Sequence, residues 1–452
     1  MTRPSRTVSR LASLLAMVAA LACAPGLSQA ARSATPESGN PDAASVAKLI
    51  APATDEWRAA LPREPEAATK AYLDRLSPEA RARSDAYFEG GYWLSLWNLL
   101  LTLLVSWLLL RTRPAQAARR WCAGVSRRRF VQVLSYGAFY LLASWLLGLP
   151  LTIYQGFVRE HHYAMATQSF PAWFGEQLMA LGLSLVIGPL FVLALYGVIR
   201  RAPRLWWLGG AAISLAFMVV GLLLSPVYIE PLFNTYKPLE ESPVKRSILA
   251  MAHANGVPVD NVYEFDASRQ TTRVSANVSG LWGTAAVRLN DNLMRKTSDA
   301  EIRAVVAHEI GHFAMNHVAK SLIQFGLVIV VAFALVAWSS SALLRRYGTR
   351  WQLGSVQEVG TLPLLAAMFS IVMFLATPAL NTITRTMEVE ADLYGLNLGR
   401  EPDAVAEVLL KVVEYRKADP GPVEEMIFFD HPSARTRIFN AMRWKAEMQA
   451  QP

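Results

Sequence analysis

Two histidines one helical turn apart enclose a glutamate in the run His308-Glu309-Ile310-Gly311-His312. On a helix, residues i and i+4 lie one above the other, so both imidazoles reach a single ion, and zinc is the metal this spacing suits. Glu309 sits about 100° round the helix from His308, where it reaches a water on the ion rather than the ion itself. Zinc draws the pKa of such a water toward neutrality, and a nearby carboxylate takes its proton as it attacks a peptide carbonyl. The chemistry is that of a metalloendopeptidase with one Zn2+ per chain and Glu309 as general base. A non-catalytic zinc scaffold would have no use for Glu309.

A catalytic site of this kind needs a third protein ligand. The pattern with a third histidine six residues beyond His312 is excluded, because Val318 stands there and Met315 replaces the required glycine. His317 is one residue out of place and reads as a group beside the site or on the surface. No Asp or Glu occurs from Phe313 to Gln357, and Glu358 falls in a loop beyond a full apolar crossing. The next acids come in Arg385-Thr386-Met387-Glu388-Val389-Glu390-Ala391-Asp392. Spacings of i, i+3 and i+7 put Arg385, Glu388 and Asp392 on one helical face, with Glu390 nearly opposite. Glu388 is therefore the expected third ligand. Asp392, one turn on, can accept the second N–H of a liganding histidine and fix its tautomer, with Arg385 on the same face. Glu390 reads as a solvent-facing charge.

Helices must position these groups. Ser298-Asp299-Ala300-Glu301 is a capping box, opening a helix expected to run through His317. A second helix is predicted from near Thr382 to about Leu398 with Gly399 as its stop, and a third from Asp403 to Lys417. Val262–Phe265, Arg273–Val278 and Ala285–Leu289 are strand-like, with Gly283-Thr284 as a turn.

The rest of the chain is built for a membrane. Of 452 residues, 53% are hydrophobic and only 17% charged, against about 25% charged in soluble proteins. Apolar blocks of spanning length lie at about Tyr92–Leu110, Phe130–Ile153, Leu178–Ile199, Leu205–Tyr228, Leu322–Leu344 and Leu362–Thr382. The N-terminus carries Arg3, Arg6 and Arg10, an apolar run from Leu11 to Ala24, then Ser28-Gln29-Ala30. This is the layout of a secretory signal peptide, preferred here over a first membrane helix. The expected fold is a mostly α-helical polytopic membrane protein of six or seven spans with an α+β zincin-like (gluzincin) metallopeptidase domain. Residues 31–91 form an extramembrane linker and helix, 92–228 a four-span domain, 321–384 two further spans, and 229–320 with 385–452 the two parts of the peptidase domain.

The net charge of +9 sits mainly in arginine clusters between apolar blocks. Those are topology signals rather than a nucleic-acid surface. Cys23 and Cys122 lie too far apart to suggest a disulfide framework or a metal site. Basic loops at 111–129, 200–204 and 345–352 alternate with segments of mixed charge, which places the arginines inside and 229–320 and 385–452 outside the cytoplasm, in a bacterial inner membrane.

Several separated pieces resemble one family. They are Leu149-Pro150 with Tyr154, Phe157-Val158 and Glu160; Pro231-Leu232-Phe233-Asn234 with Pro238-Leu239; Ser275-Ala276-Asn277; the His308–His312 motif; Thr384-Arg385 through Asp392; and His431-Pro432 with Arg437. In this order and spacing they are similar to the integral-membrane CAAX prenyl endopeptidases, zinc enzymes that trim isoprenylated C-terminal motifs. The resemblance implies a helical barrel around a chamber capped by the zinc domain, and Glu388 as the third ligand in a Glu-x-x-Ala-Asp motif. It implies that Asn277 lies on a strand against which substrate backbone pairs, and that His431 and Arg437 stabilise the oxyanion or hold substrate. It also implies a zinc domain facing the cytosol, against the arginine distribution. The substrate would be a peptide or protein, lipidated or membrane-associated, met beside membrane lipid. Where the family has Gly-Phe-Asn, this chain has His161-His162-Tyr163-Ala164-Met165-Ala166, a change that bears on substrate preference. A quality-control protease for misfolded or stalled polypeptides is the second reading.

Overall fold

Hydrocarbon about 30 Å thick needs about 20 helical residues to cross it, and the apolar blocks grow into helices well beyond that length. In the computed structural model, which describes residues 50–279 and 286–450, six helices are long and apolar enough to span: Pro78–Arg111 (α1), Arg129–His162 (α2), Phe170–Arg201 (α3), Trp206–Phe233 (α4), His317–Trp351 (α6) and Val359–Gly399 (α7). The N-terminal apolar run and the Gly283-Thr284 turn lie outside the described residues. Large side chains such as Val186, Leu222, Ile323, Leu327 and Leu375 are exposed on the bundle's flanks, as lipid-facing positions require. Between the helices, Tyr136, Tyr196, Ile199, Trp206 and Phe333 pack into a buried cluster.

The bundle has two chemically distinct ends. The arginine-rich loops meet at one: Arg119 donates to the carbonyls of Trp351 and Gln352, each at 3.2 Å, and Arg200 to that of Gln357 at 3.3 Å. At the other, the membrane helices dock on the peptidase part, where Glu160 pairs with Arg273 at 2.6 Å and accepts from Tyr87 at 2.6 Å. The departing segment 161–166 is part of that joint. Ala166 bridges to Thr271, and Ala164 takes a left-handed conformation with φ 55.

The peptidase part is α+β. A four-stranded sheet has the order β1-β2-β4-β3, from Tyr236–Pro238 (β1), Val262–Phe265 (β2), Ala276–Ser279 (β3) and Ala286–Asn290 (β4). Strand β2 pairs parallel to β4, and β1 and β3 pair antiparallel. Val262, Val287 and Leu289 project into a core with Ile302, Val306 and Ile310 of the helix Asp299–Ala314 (α5). Beyond α7 come Pro402–Lys411 (α8), Pro422–Phe428 (α9) and Ala434–Ala450 (α10). Leu396 of α7 joins Leu409, Leu410, Ile438 and Ala441 in a second core.

The elements differ from the sequence reading in three ways. The helix that carries the first span begins at Pro78, because the polar stretch before Tyr92 is helical and continuous with the apolar one. The second and third predicted peptidase helices are likewise redrawn: the former is the end of α7, and the latter stops at Lys411. Finally, α5 ends at Ala314, and Asn316 adopts φ 55 before α6 starts at His317. Asn enters the left-handed region more readily than most residues because its short amide bonds locally. Strand β1 and the true position of β3 lacked a clear alternating pattern.

Candidate active site

Helix α5 starts on a complete capping box, with Ser298 Oγ accepting from the Glu301 N–H and the Glu301 carboxylate from the Ser298 N–H. That fixes the phase in which His308 and His312 leave the helix. Helix α7 crosses α5 very closely: a Cβ on Gly311 would lie 3.1 Å from the Ala391 carbonyl oxygen, and one on Gly395 2.9 Å from the His308 backbone nitrogen. Two glycines at the crossing, with Ala391 between them, bring the Glu388 face of α7 against both histidines.

At the crossing, His308 Nε2 and His312 Nε2 face each other at 3.1 Å. Glu388 Oε2 lies 3.3 Å from the former, and Oε1 lies 3.4 Å from the latter. Ligand atoms at the corners of a tetrahedron, about 2.0–2.1 Å from a central zinc, are about 3.3–3.4 Å apart. Each imidazole nitrogen therefore stands at close to a zinc-compatible distance from the other and from one Glu388 oxygen, and one donor atom from each residue lies within 4.8 Å of the others. Glu388 Oε2 is buried without a hydrogen-bond partner among the described residues. A cation between the three groups would satisfy that oxygen and separate the two facing nitrogens. The residues fit the ion.

Behind His308 stands Asp392, with Oδ1 2.9 Å from Nδ1, a contact bent away from good hydrogen-bond geometry. Asp392 is clamped in turn by Arg437, which donates from Nε at 2.8 Å and Nη2 at 2.5 Å. Burial disfavours the Arg437 charge, but Asp392 and then Glu388 and Glu309 outweigh it and raise its pKa further. Glu309, beside the ligands, is pushed above the usual carboxylate range by burial, against the pull of His308 and His312. A base raised in this way holds the proton it accepts more readily.

Other expected residues are placed as follows. His431 Nε2 lies 3.3 Å from Glu388 Oε1, and Nδ1 lies 2.9 Å from Asp430 Oδ1. Arg437 is engaged with Asp392. Arg385 does not meet Glu388 or Asp392; it donates to the carbonyls of Glu425 at 3.1 Å and Phe429 at 2.5 Å. These carbonyls close α9, so Arg385 anchors the segment that delivers His431. Asn277 lies in β3 at the sheet edge, in register with Arg288.

Residues 238–445 match the profile of peptidase family M48, and residues 60–235 match "CAAX prenyl protease N-terminal, five membrane helices". The chain is 29% identical over 347 residues to the uncharacterized metalloprotease YhfN of Bacillus subtilis, covering 76% of this chain and 80% of that protein. It is 26% identical to CAAX prenyl protease 1 of Saccharomyces cerevisiae, covering 65% and 68% of the two chains. The crystal structure of S. mikatae Ste24p superposes with a TM-score of 0.63 at 20% identity, covering 95% of this chain and 96% of that one. The chain belongs to the CAAX prenyl protease 1 family. A member of this family is a membrane metalloendopeptidase, a hydrolase of peptide bonds.

Sequence reasoning left His317 beside the site or on the surface and missed its link to Glu390; within this CAAX protease fold His317 lies beside the site. That side chain is buried, and its Nδ1 lies 2.8 Å from His312 Nδ1. Glu390 is not an isolated solvent charge, since its Oε2 lies 3.0 Å from His317 Nε2 and 2.6 Å from Lys320 Nζ. The signal was present in the left-handed tendency of Asn316, but a continuous helix through His317 hides it.

Proposed function

We propose that the chain is a zinc metalloendopeptidase with His308, His312 and Glu388 as ligands and Glu309 as general base. The observation that carries this reading is the triangle of donors at zinc-compatible spacing, with Glu309 on the adjoining turn. When bound, zinc supplies a Lewis acid and a water acidified toward neutrality. Glu309 takes the water's proton and returns it to the leaving amine. Asp392 holds His308, and Arg437 holds Asp392. His431, fixed by Asp430, is close enough to Glu388 to donate toward an oxyanion forming beside the metal. The edge strand β3, with Asn277, offers a backbone for an extended substrate.

Membership supports C-terminal CAAX-type peptides, lipidated or membrane-associated, as the substrate class. The segment 161–166 favours a second reading, in which unmodified polypeptides are cleaved, because it departs from the family pattern and pairs with residue 271 ahead of β3. The active site faces the extracytoplasmic side of a bacterial inner membrane. Purified protein incubated with matched prenylated and plain peptides, with products read by mass spectrometry, separates the two. In the same assay Glu309→Gln is expected to retain full zinc and lose turnover. Normal cleavage by that variant would remove Glu309 from its role.

A further inference from the structure

The two liganding histidines are backed differently. His308 has a carboxylate directly behind it, whereas His312 Nδ1 meets another imidazole, His317 Nδ1, at 2.8 Å. Building on the zinc reading above, we propose that His317 and Glu390 are positioning residues for His312, forming an imidazole–carboxylate relay that fixes its tautomer and raises its affinity for the metal.

The proton positions along this line determine one another. His312 Nε2 faces Glu388 and His308, so a lone pair must be on Nε2 for that atom to bind a cation. Its proton then resides on Nδ1 and needs an acceptor. The nitrogen 2.8 Å away can accept only if His317 carries its own proton on Nε2. That atom in turn lies 3.0 Å from Glu390 Oε2, which accepts it. The line ends on a carboxylate held by Lys320 at 2.6 Å. Successive hydrogen bonds polarise one another, so negative charge at Glu390 increases electron density at His312 Nε2.

The fold makes this possible at one point. The break at Asn316 ends α5 and starts α6 on His317, whose side chain is 4% exposed. Helix α7 thereby acts on the metal from two faces. Glu388 approaches directly, and Glu390, two residues on, acts through His317.

The test is zinc affinity of the full-length protein in lipid nanodiscs, by competition with a chromophoric chelator, alongside melting of the zinc-free protein. Glu390→Ala, at a partly exposed position, is expected to bind zinc about tenfold to a hundredfold more weakly with unchanged zinc-free melting. Glu390→Gln, whose amide oxygen still accepts from His317 but carries no charge, should fall between Glu390→Ala and wild type. The double variant His317→Ala/Glu390→Ala should be no weaker than His317→Ala alone, because Glu390 acts only through His317. Wild-type affinity in Glu390→Ala, or a loss confined to melting, would overturn the relay. So would a double variant in which the two losses add. His312→Ala separates the premises: if it keeps wild-type zinc, the metal reading itself fails. If it loses zinc while Glu390→Ala does not, only the relay falls.

Discussion

Each ligand's effect at the residue scale depends on what stands behind it. Asp392 is buried and shared between His308 Nδ1 and the Arg437 fork. Replacing it with Asn keeps the shape, removes the charge and presents an amide that can turn a donor toward a donor. Asp392→Asn is therefore expected to weaken zinc binding about tenfold to a hundredfold, measured by chelator competition. Glu388→Ala removes a ligand outright and should leave the protein without stoichiometric zinc by elemental analysis. If Asp392→Asn lost as much metal as Glu388→Ala, Asp392 would have to be counted a ligand. Much of this was legible from residue types. Spacing on one helical face picked out Glu388 and Asp392 because a helix converts three- and seven-residue intervals into a shared direction. Arg385 was misplaced by the same logic. Sharing a face says nothing of how far a long side chain reaches, and this one reaches away to the carbonyls at the end of α9. For His317 the sequence offered two places, beside the site or on the surface, and the left-handed residue at Asn316, which no periodicity marks in advance, decides for the site.

At the scale of elements, the site is the crossing of α5 and α7, and the crossing depends on missing side chains. An alanine at Gly395 would put its Cβ 2.9 Å from the His308 backbone nitrogen and 3.0 Å from its Cα. Backbone atoms cannot rotate aside, so the helices must separate, at a cost of about 1–3 kcal/mol as in other overpacked cores. Gly395→Ala is expected to lower the melting temperature and also to loosen zinc, because Glu388 rides on the helix that moves. Gly175→Ala, on α3 with nothing within 4 Å of the added Cβ, is the control and should leave both quantities unchanged. A Gly395→Ala protein with normal zinc affinity would show that the crossing distance does not set the ligand geometry. The sequence revealed both helices but not that the second is one continuous helix with the last span. Hydropathy registers only the lipid-length portion of α7, and Glu388 sits on its polar continuation.

For the whole molecule, six spans and two split peptidase segments leave one question of orientation, and charge bears on it directly. The helices α1, α3 and α6 end at Arg111, Arg201 and Trp351, and the connections after them lie at the end of the bundle opposite the peptidase part. The helix ends and connections there hold Arg111, Arg113, Arg119, Arg120, Arg127, Arg128 and Arg129, then Arg200, Arg201 and Arg204, then Arg345, Arg346 and Arg350. Short loops rich in Lys and Arg are retained on the cytoplasmic side, since moving each positive charge outward works against the membrane potential and the insertion machinery. The six-span alternation brings 50–77, 163–169, 234–316 and 400–450 to the other end. The arginine pattern thus predicts a metal site outside the cytoplasm, opposite to the side the family resemblance implies. A fusion placed after Arg437 reports on this without disturbing the loops. Alkaline phosphatase there is expected to be active and green fluorescent protein dark in bacterial cells, while fusions after Arg120 should give the reverse pair. Fluorescence after Arg437 together with active phosphatase after Arg120 would invert the protein in the membrane. The zinc geometry would stand, but the substrates would then have to be cytosolic.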